Sequence, residues 1–410
     1  MDIILNNYQN TLITGPPGSG KTYTINNLIN YFKENYIEYA ATASTGIAST
    51  LFNGVTINSW SGINMFKRKY CINKDITNEY FLRKIKKKYF AVKRIRNVEY
   101  LIIDEISLIS DKFLECLEYV CRMLRSPGKS VEENPFGGIK TIIVGDFYQL
   151  PPVQDNYCFE SEIFKKIYHH TILLNKNYRV KDSDIFYKLL VNIRENIKLT
   201  NQQVDLIKSR IPQKKSKGKY IYPSLVSLKN TSKLINMKKL NKNKNKLFTF
   251  NAIINGPEFI IKQTNLEKVL LLKKKCPVIY LKNSPELQIY NGSVGYIDSI
   301  LEDSIKVRFG NNIIEIQPHT IEIIDESDTI NSITQIPLSL AFAITIHKSQ
   351  GQTLSQGSIL LDNTIFASGQ AYVALSRFTN LNNVNILKFD KNVFKVDKKV
   401  QQFYLQYIHN

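Results

Sequence analysis

Eight consecutive residues, Gly15-Pro16-Pro17-Gly18-Ser19-Gly20-Lys21-Thr22, set three glycines ahead of a lysine and a hydroxyl. Glycines at that spacing let backbone N–H groups close around phosphate oxygens at a helix N-terminus, where the dipole favours negative charge. Lys21 can then neutralise β- and γ-phosphate oxygens, and Thr22 can hold Mg2+. The run reads as a nucleotide-binding P-loop, with a nucleoside triphosphate and Mg2+ expected there.

A second constellation follows. Asp104-Glu105 closes the apolar run Leu101-Ile102-Ile103. A carboxylate there can support the metal, and its neighbour can activate water for in-line attack on the γ-phosphate. A third stretch, GDFYQLPP at 145–152, ends the next apolar run and offers Gln149 as an amide able to sense the γ-phosphate.

Phosphate chemistry of this kind needs strands that end at the site and a helix that starts there. Thr11 to Thr14 reads as the strand entering the loop, and Ile25, Leu28, Ile29 and Phe32 give the following helix one apolar face. Further buried strands are expected at 38–43, 100–103 and 141–144, with an amphipathic helix between Asp111 and Leu124. Strands alternating with helices indicate a parallel sheet. A second α/β unit is expected from about Tyr168, with strands at 172–174 and 225–228. After Cys276 the pattern changes to short strands at 278–281, 294–300, 305–309, 313–316 and 321–324, the texture of a small antiparallel barrel. The α/β pattern resumes near Leu338, with a strand at 359–361 and a closing helix carrying Val396, Val400, Phe403, Tyr404 and Tyr407.

Charge points to the partner. Lys plus Arg number 55 against 35 Asp plus Glu, a net +20, and such an excess favours a polyanion whose counterions are released on binding. Twelve of these basic residues fall between Lys67 and Arg96, against Asp75 and Glu79. Cys71, Cys116, Cys121, Cys158 and Cys276 are odd in number and form no C-x-x-C pair, which suits free thiols in a reducing, intracellular compartment. The start is not a signal peptide, and no run approaches ~20 apolar residues, so no membrane partner is expected.

The runs LIIDEISLI (101–109), PFGG (135–138) and VGDFYQLPPV (144–153) together resemble the signature of the Pif-type helicases, the RecD-like branch of superfamily one. The likeness continues through ASTGIA (43–48), NYR (177–179), NGSVG (291–295), IPLSLA (336–341), IHKSQGQTL (346–354) and QAYVALSR (370–377), in the family's order. It implies an α/β fold of two RecA-like P-loop cores, carrying a small basic wedge insert and an SH3-like β-barrel insert. The expected boundaries are 1–63 with 97–167 for the first core and 64–96 for the wedge. The second core is expected at 168–270 with 336–410, and the barrel at 271–335.

The resemblance further implies ATP as the nucleotide cofactor with Mg2+, 5′-to-3′ movement on single-stranded DNA driven by it, and unwinding of forked or tailed duplex, in replication, repair or recombination. Arg179 and Arg377 would reach the γ-phosphate from the second core as arginine fingers, and Gln350 and Gly351 would lie near the nucleotide. Thr42, Ser44, Thr45, Ser59 and Trp60 would bind the strand on the first core; Thr345, His347, Lys348 and Ser349 would bind it on the second. Asn58 and Val180 depart from the family's common His and Gln. The short stretch before Gly15 leaves no room for the family's adenine-reading Gln, so relaxed base preference is expected. An RNA helicase of the same superfamily and a DNA-binding ATPase switch are the alternatives. The short, AT-rich-coded chain would suit a virus or a reduced genome.

Overall fold

In the computed structural model the described residues are 10–63, 78–180, 184–212, 223–264, 266–282, 284–289, 291–324, 330–354 and 356–408. The chain forms two compact units, 1–204 with 366–379 and 394–410, and 205–365 with 380–393.

The first unit is built on a six-stranded sheet ordered β3-β2-β4-β5-β1-β6. Its strands are β1 (Thr11–Thr14), β2 (Tyr39–Ala43), β3 (Val55–Thr56), β4 (Tyr100–Asp104), β5 (Lys140–Gly145) and β6 (His170–Leu173), and every pairing is parallel. The central strands are apolar at successive positions because helices cover both faces. Helix α1 (Lys21–Glu34) buries Ile25, Leu28, Ile29 and Phe32 on one face. On the other face, α6 (Asp111–Arg125) buries Phe113, Leu114, Leu117, Val120, Cys121 and Leu124. Ser110 caps it, its hydroxyl accepting from the Phe113 N–H at 3.2 Å.

Shorter helices complete this unit: α2 (Gly46–Thr50), α3 (Ile57–Ser61), α4 (Asn78–Lys86), α5 (Tyr89–Asn97), α7 (Glu162–Ile167), α8 (Ile185–Arg194), α9 (Gln370–Ser376) and α10 (Lys398–Ile408). Helices α4 and α5 carry the described half of the basic insert, with Phe81, Leu82, Ile85, Ala91 and Ile95 turned into the core. Lys67, Arg68, Lys69 and Lys74 lie outside the described residues.

Two expected boundaries are corrected. Strand β6 pairs with β1 in the first sheet, Thr11 opposite His170 through Thr14 opposite Leu173, so no new unit begins at Tyr168. The closing helix also belongs to the first unit: Val400, Phe403 and Tyr404 of α10 pack in its core beside Phe147 and Phe159. Apolar spacing reveals that a helix is amphipathic but not which sheet its face meets.

The second unit holds a parallel sheet ordered β18-β7-β19-β20, from β7 (Ser224–Val226), β18 (Ala343–Thr345), β19 (Gly357–Leu361) and β20 (Val384–Phe389). It also holds an antiparallel sheet ordered β14-β13-β12-β11-β17, from β11 (Pro277–Tyr280), β12 (Val294–Ile300), β13 (Ile305–Phe309), β14 (Asn312–Ile316) and β17 (Leu338–Leu340). Its core gathers Val278, Tyr280, Ile297, Ile305, Val307 and Leu338. The expected fifth barrel strand lies elsewhere. Strand β15 (His319–Ile324) pairs with β16 (Ile330–Gln335), which pairs in turn with β9 (Ile253–Asn255). With the β8 (Leu247–Asn251) and β10 (Val269–Lys273) ribbon, the antiparallel region runs wider than 271–335.

Candidate functional site: a phosphate loop ringed by carboxylates and arginines

Strand β1 ends at Thr14, and the loop Gly15–Gly20 delivers the chain into α1 at Lys21. Gly20 has φ 91° as the residue before the helix, a left-handed conformation that leaves the α1 N–H groups facing the loop. The Lys21 ammonium donates to the carbonyls of Gly15 (2.6 Å) and Pro16 (2.9 Å). Burial lowers its pKa, opposed by the charges of Asp146, Glu105 and Asp104. Lys21 therefore sits within the field of three carboxylates.

Asp104 ends β4 and Glu105 follows it, beside β1's neighbour β5 in the sheet. Glu105 adopts φ 53°, and its N–H donates to the Asp104 carboxylate at 2.8 Å. Burial, with Glu105 close by, pushes the Asp104 pKa up to about 7; the backbone N–H and Lys21 oppose it. A buried carboxyl so raised gains from a cation placed against it. Among the described residues no three His, Cys, Asp or Glu cluster as a metal-only cage. One carboxylate and one hydroxyl beside a phosphate loop fit a hard, oxygen-seeking ion that shares its shell with phosphate and water.

The NYR run closes over the loop. The Tyr178 N–H donates to Gly18 O (2.8 Å), and the Asn177 amide donates to Pro17 O (3.1 Å). Gly18 must be glycine here, since its φ is 85° and a Cβ would stand 2.6 Å from the Arg179 Cβ. Arg179 donates to Ser376 O on α9 at 2.8 Å. Arg377, just past that helix, donates from Nη2 to the Gln149 side-chain oxygen (3.4 Å) and to the Ser376 hydroxyl (3.0 Å). Burial, then the neighbouring Arg179 charge, pushes its pKa down to about 10. Gly369 makes this approach possible: a Cβ there would lie 2.3 and 2.4 Å from the Gln149 and Tyr148 carbonyl oxygens. Both arginines fall within the compact unit that holds the P-loop.

Sequence reasoning missed the group behind Lys21. The Arg194 guanidinium donates to Asp146 from Nη2 (3.0 Å) and Nε (3.3 Å), and both side chains are buried. Tyr404 donates to the same carboxylate (3.2 Å), bonds Thr14 (2.7 Å) and accepts from the Phe147 N–H (3.1 Å). Its ring stacks on Tyr148, which Arg194 also covers. A 260 Å3 cavity adjoins the loop, lined by Pro16, Pro17, Asn177, Arg179, Arg194 and Tyr372 among others. The one available signal was Arg194 itself, a charge on the apolar face of α8 with Leu190 and Ile193.

The expected strand-binding residues divide. Trp60 is 4% exposed and packs in the core with Ile57 and Ile63. The buried Thr42 hydroxyl donates to Ile102 O at 2.6 Å within the sheet. In the second unit, buried Ser349 donates to Ile346 O (2.8 Å), and buried Thr345 accepts from the Lys348 N–H (3.4 Å). The Thr42 and Ser349 hydroxyls thus give their protons to backbone carbonyls, whereas Thr345 acts as an acceptor. Ser44, Thr45 and His347 are half-buried, while Ser59 and Lys348 are exposed. Ser44 bonds Glu105 O, and Thr45 caps α2. The Asn58 amide donates to Ile63 O, and Val180 is buried. Gln350 and Gly351 follow the turn His347–Ser349 in the second unit, Gln350 buried and Gly351 at φ 78°.

Cys116, Cys121, Cys158 and Cys276 are free and buried; Cys71 lies outside the described residues. Among the described residues no helix is long and apolar enough to cross a membrane.

The PIF1-like helicase family model matches residues 2–209. The ATP-dependent DNA helicase RRM3 of Saccharomyces cerevisiae is 28% identical over 98% of this chain, a match that takes in 66% of the yeast protein. The crystal structure of Pif1 helicase from Candida albicans superposes with a TM-score of 0.85 at 29% identity, covering 98% of this chain and 97% of that one. The crystal structure of Pif1 helicase from Bacteroides in complex with ADP-AlF3 and ssDNA gives 0.74 at 27% identity, covering 100% and 96%. With that family model spanning half of the chain, and with similarity to solved Pif1 helicases running along nearly all of it, the chain belongs to the PIF1-like helicase family.

Proposed function

We propose that the chain is an ATP-dependent DNA helicase, moving 5′ to 3′ on single-stranded DNA and opening forked or tailed duplex. The observation that carries this reading is the convergence of Lys21, Asp104, Glu105, Gln149, Arg179 and Arg377 around one phosphate loop, in a chain of net charge +20. Glu105 is the base that takes a proton from the attacking water. Lys21 neutralises the β- and γ-phosphate oxygens. Arg179 and Arg377 stabilise the charge of the transferring phosphoryl group, and Gln149, hydrogen-bonded to Arg377, holds that guanidinium in register. Thr22 and Asp104 would hold Mg2+, which when bound neutralises phosphate oxygens.

Lys348, Ser59, Ser44, Thr45 and His347 serve as strand contacts, the first by charge and the others by hydrogen bonds. The exposed Lys86, Lys87 and Lys88 at the junction of α4 and α5 act at the fork, where the wedge of this family belongs. The five-stranded sheet of the second unit corresponds to the SH3-like insert. The test is ATP hydrolysis measured with and without oligothymidine: strong stimulation, abolished in Lys21→Ala while DNA binding persists, supports the reading. Equal turnover with and without DNA refutes the coupling.

A further inference from the structure

A second, larger cavity of 530 Å3 lies away from the phosphate loop, against the β2 edge of the first sheet. Its floor and rim include Phe52, Val55, Trp60 and Phe90, with Phe90 74% and Val55 48% exposed. Strand β3 pairs only with Thr42 and Ala43, so among the described residues no strand flanks the first three residues of β2 on the side away from β4. The Glu38 carbonyl accepts from the Tyr100 N–H, and the Ser44 N–H donates to Asp104 O. Even-numbered residues of β2 therefore address β4. By the two-residue period of a strand, the N–H and C=O of Tyr39 and the N–H of Ala41 address the outer edge. Lys33, Lys93 and Arg94 line the same groove against a single acid, Glu38. The Arg94 guanidinium is held in place by the Ser59 and Trp60 carbonyls at 3.1 and 3.0 Å.

We propose that this groove is a docking site for an extended acidic peptide of a partner protein, which adds a strand to the open edge of β2. Backbone groups at strand spacing supply affinity, the apolar floor takes alternate side chains, and the three cations select Asp or Glu between them. A nucleic-acid strand shares the charge complementarity but has no amide ladder to match this edge. The volume falls within the roughly 300–1,000 Å3 of ligand clefts. Flat, apolar, unpaired edges are otherwise avoided in folded proteins, and this one, unpaired among the described residues, lies beside a guanidinium already held in place.

The test uses the full chain and a set of fluorescein-labelled hexapeptides that alternate Asp or Glu with Val, Leu or Phe, read by fluorescence anisotropy. At least one should bind with Kd below about 100 μM. N-methylation of every second amide, which removes the ladder donors, should weaken it by about tenfold or more. Lys33→Glu and Val55→Glu should each weaken it by about tenfold, while DNA-stimulated ATP hydrolysis stays within about twofold. Three outcomes overturn the proposal. One is no binding by any peptide; another is equal binding of the N-methylated form. The third is displacement of bound peptide by oligothymidine together with weaker DNA binding in Val55→Glu, which would make the groove a nucleic-acid site.

Discussion

Arg194 grips the Asp146 carboxylate from two nitrogens, at 3.0 and 3.3 Å, in a buried pair directly behind the P-loop lysine. Asp146 is also the largest charge attraction acting on Lys21. One carboxylate thus anchors α8, α10 and the GDFYQLPP turn while shaping the field at the phosphate site. Breaking a buried pair from one side typically costs about 3–5 kcal/mol, because a charge is left uncompensated. Arg194→Met should therefore lower unfolding stability in urea by about that much, and Arg194→Met with Asp146→Asn should recover a large part of it. Additive losses would show that the two residues are not energetically coupled.

Tyr404 offers a gentler probe of the same network. Tyr404→Phe keeps the stack on Tyr148 but removes the hydroxyl that serves Thr14, Phe147 and Asp146. An unsatisfied buried group costs on the order of 1–3 kcal/mol, so the unfolding midpoint should fall correspondingly. An unchanged midpoint would place the network's strength elsewhere.

Arg377→Ala should lose on the order of 10³-fold or more in DNA-stimulated turnover, with nucleotide affinity held within several-fold. Arg377→Lys should not restore it, because a lysine cannot reproduce the fork that meets both Gln149 and the Ser376 hydroxyl. Wild-type turnover in either variant would remove Arg377 from the mechanism.

Neutralising Lys86, Lys87 and Lys88 together should flatten the salt dependence of DNA binding. If all three meet phosphates, the slope of log K against log salt should fall by roughly 2–3. An unchanged slope would make this run a solvated helix face.

The phosphate site was legible because its chemistry is local: a strand, a glycine-rich turn and a lysine adjoin in sequence, as do Asp104 and Glu105. Even Gln149 could be placed from its position at a strand end. What stayed hidden depends on contacts distant in sequence. Nothing in 170–173 says that β6 lies against β1, and nothing in 398–408 says that Tyr404 reaches Thr14, 390 residues away. Trp60 shows the same limit: its type suits stacking, while its burial among Ile57, Ile63 and the α5 helix depends on packing that spacing does not reveal. Residues 1–9, which bear on the expected base preference, lie outside the described residues.

The central claim is that ATP hydrolysis at this site drives separation of DNA strands. The direct measurement is release of a labelled strand from a duplex carrying a single-stranded 5′ tail, with ATP and Mg2+ present. Strand release by the wild-type chain, lost in Lys21→Ala and absent on a duplex with only a 3′ tail, is the predicted result. Robust DNA-stimulated hydrolysis without release of any strand would contradict it, and would leave a DNA-binding ATPase in place of a helicase.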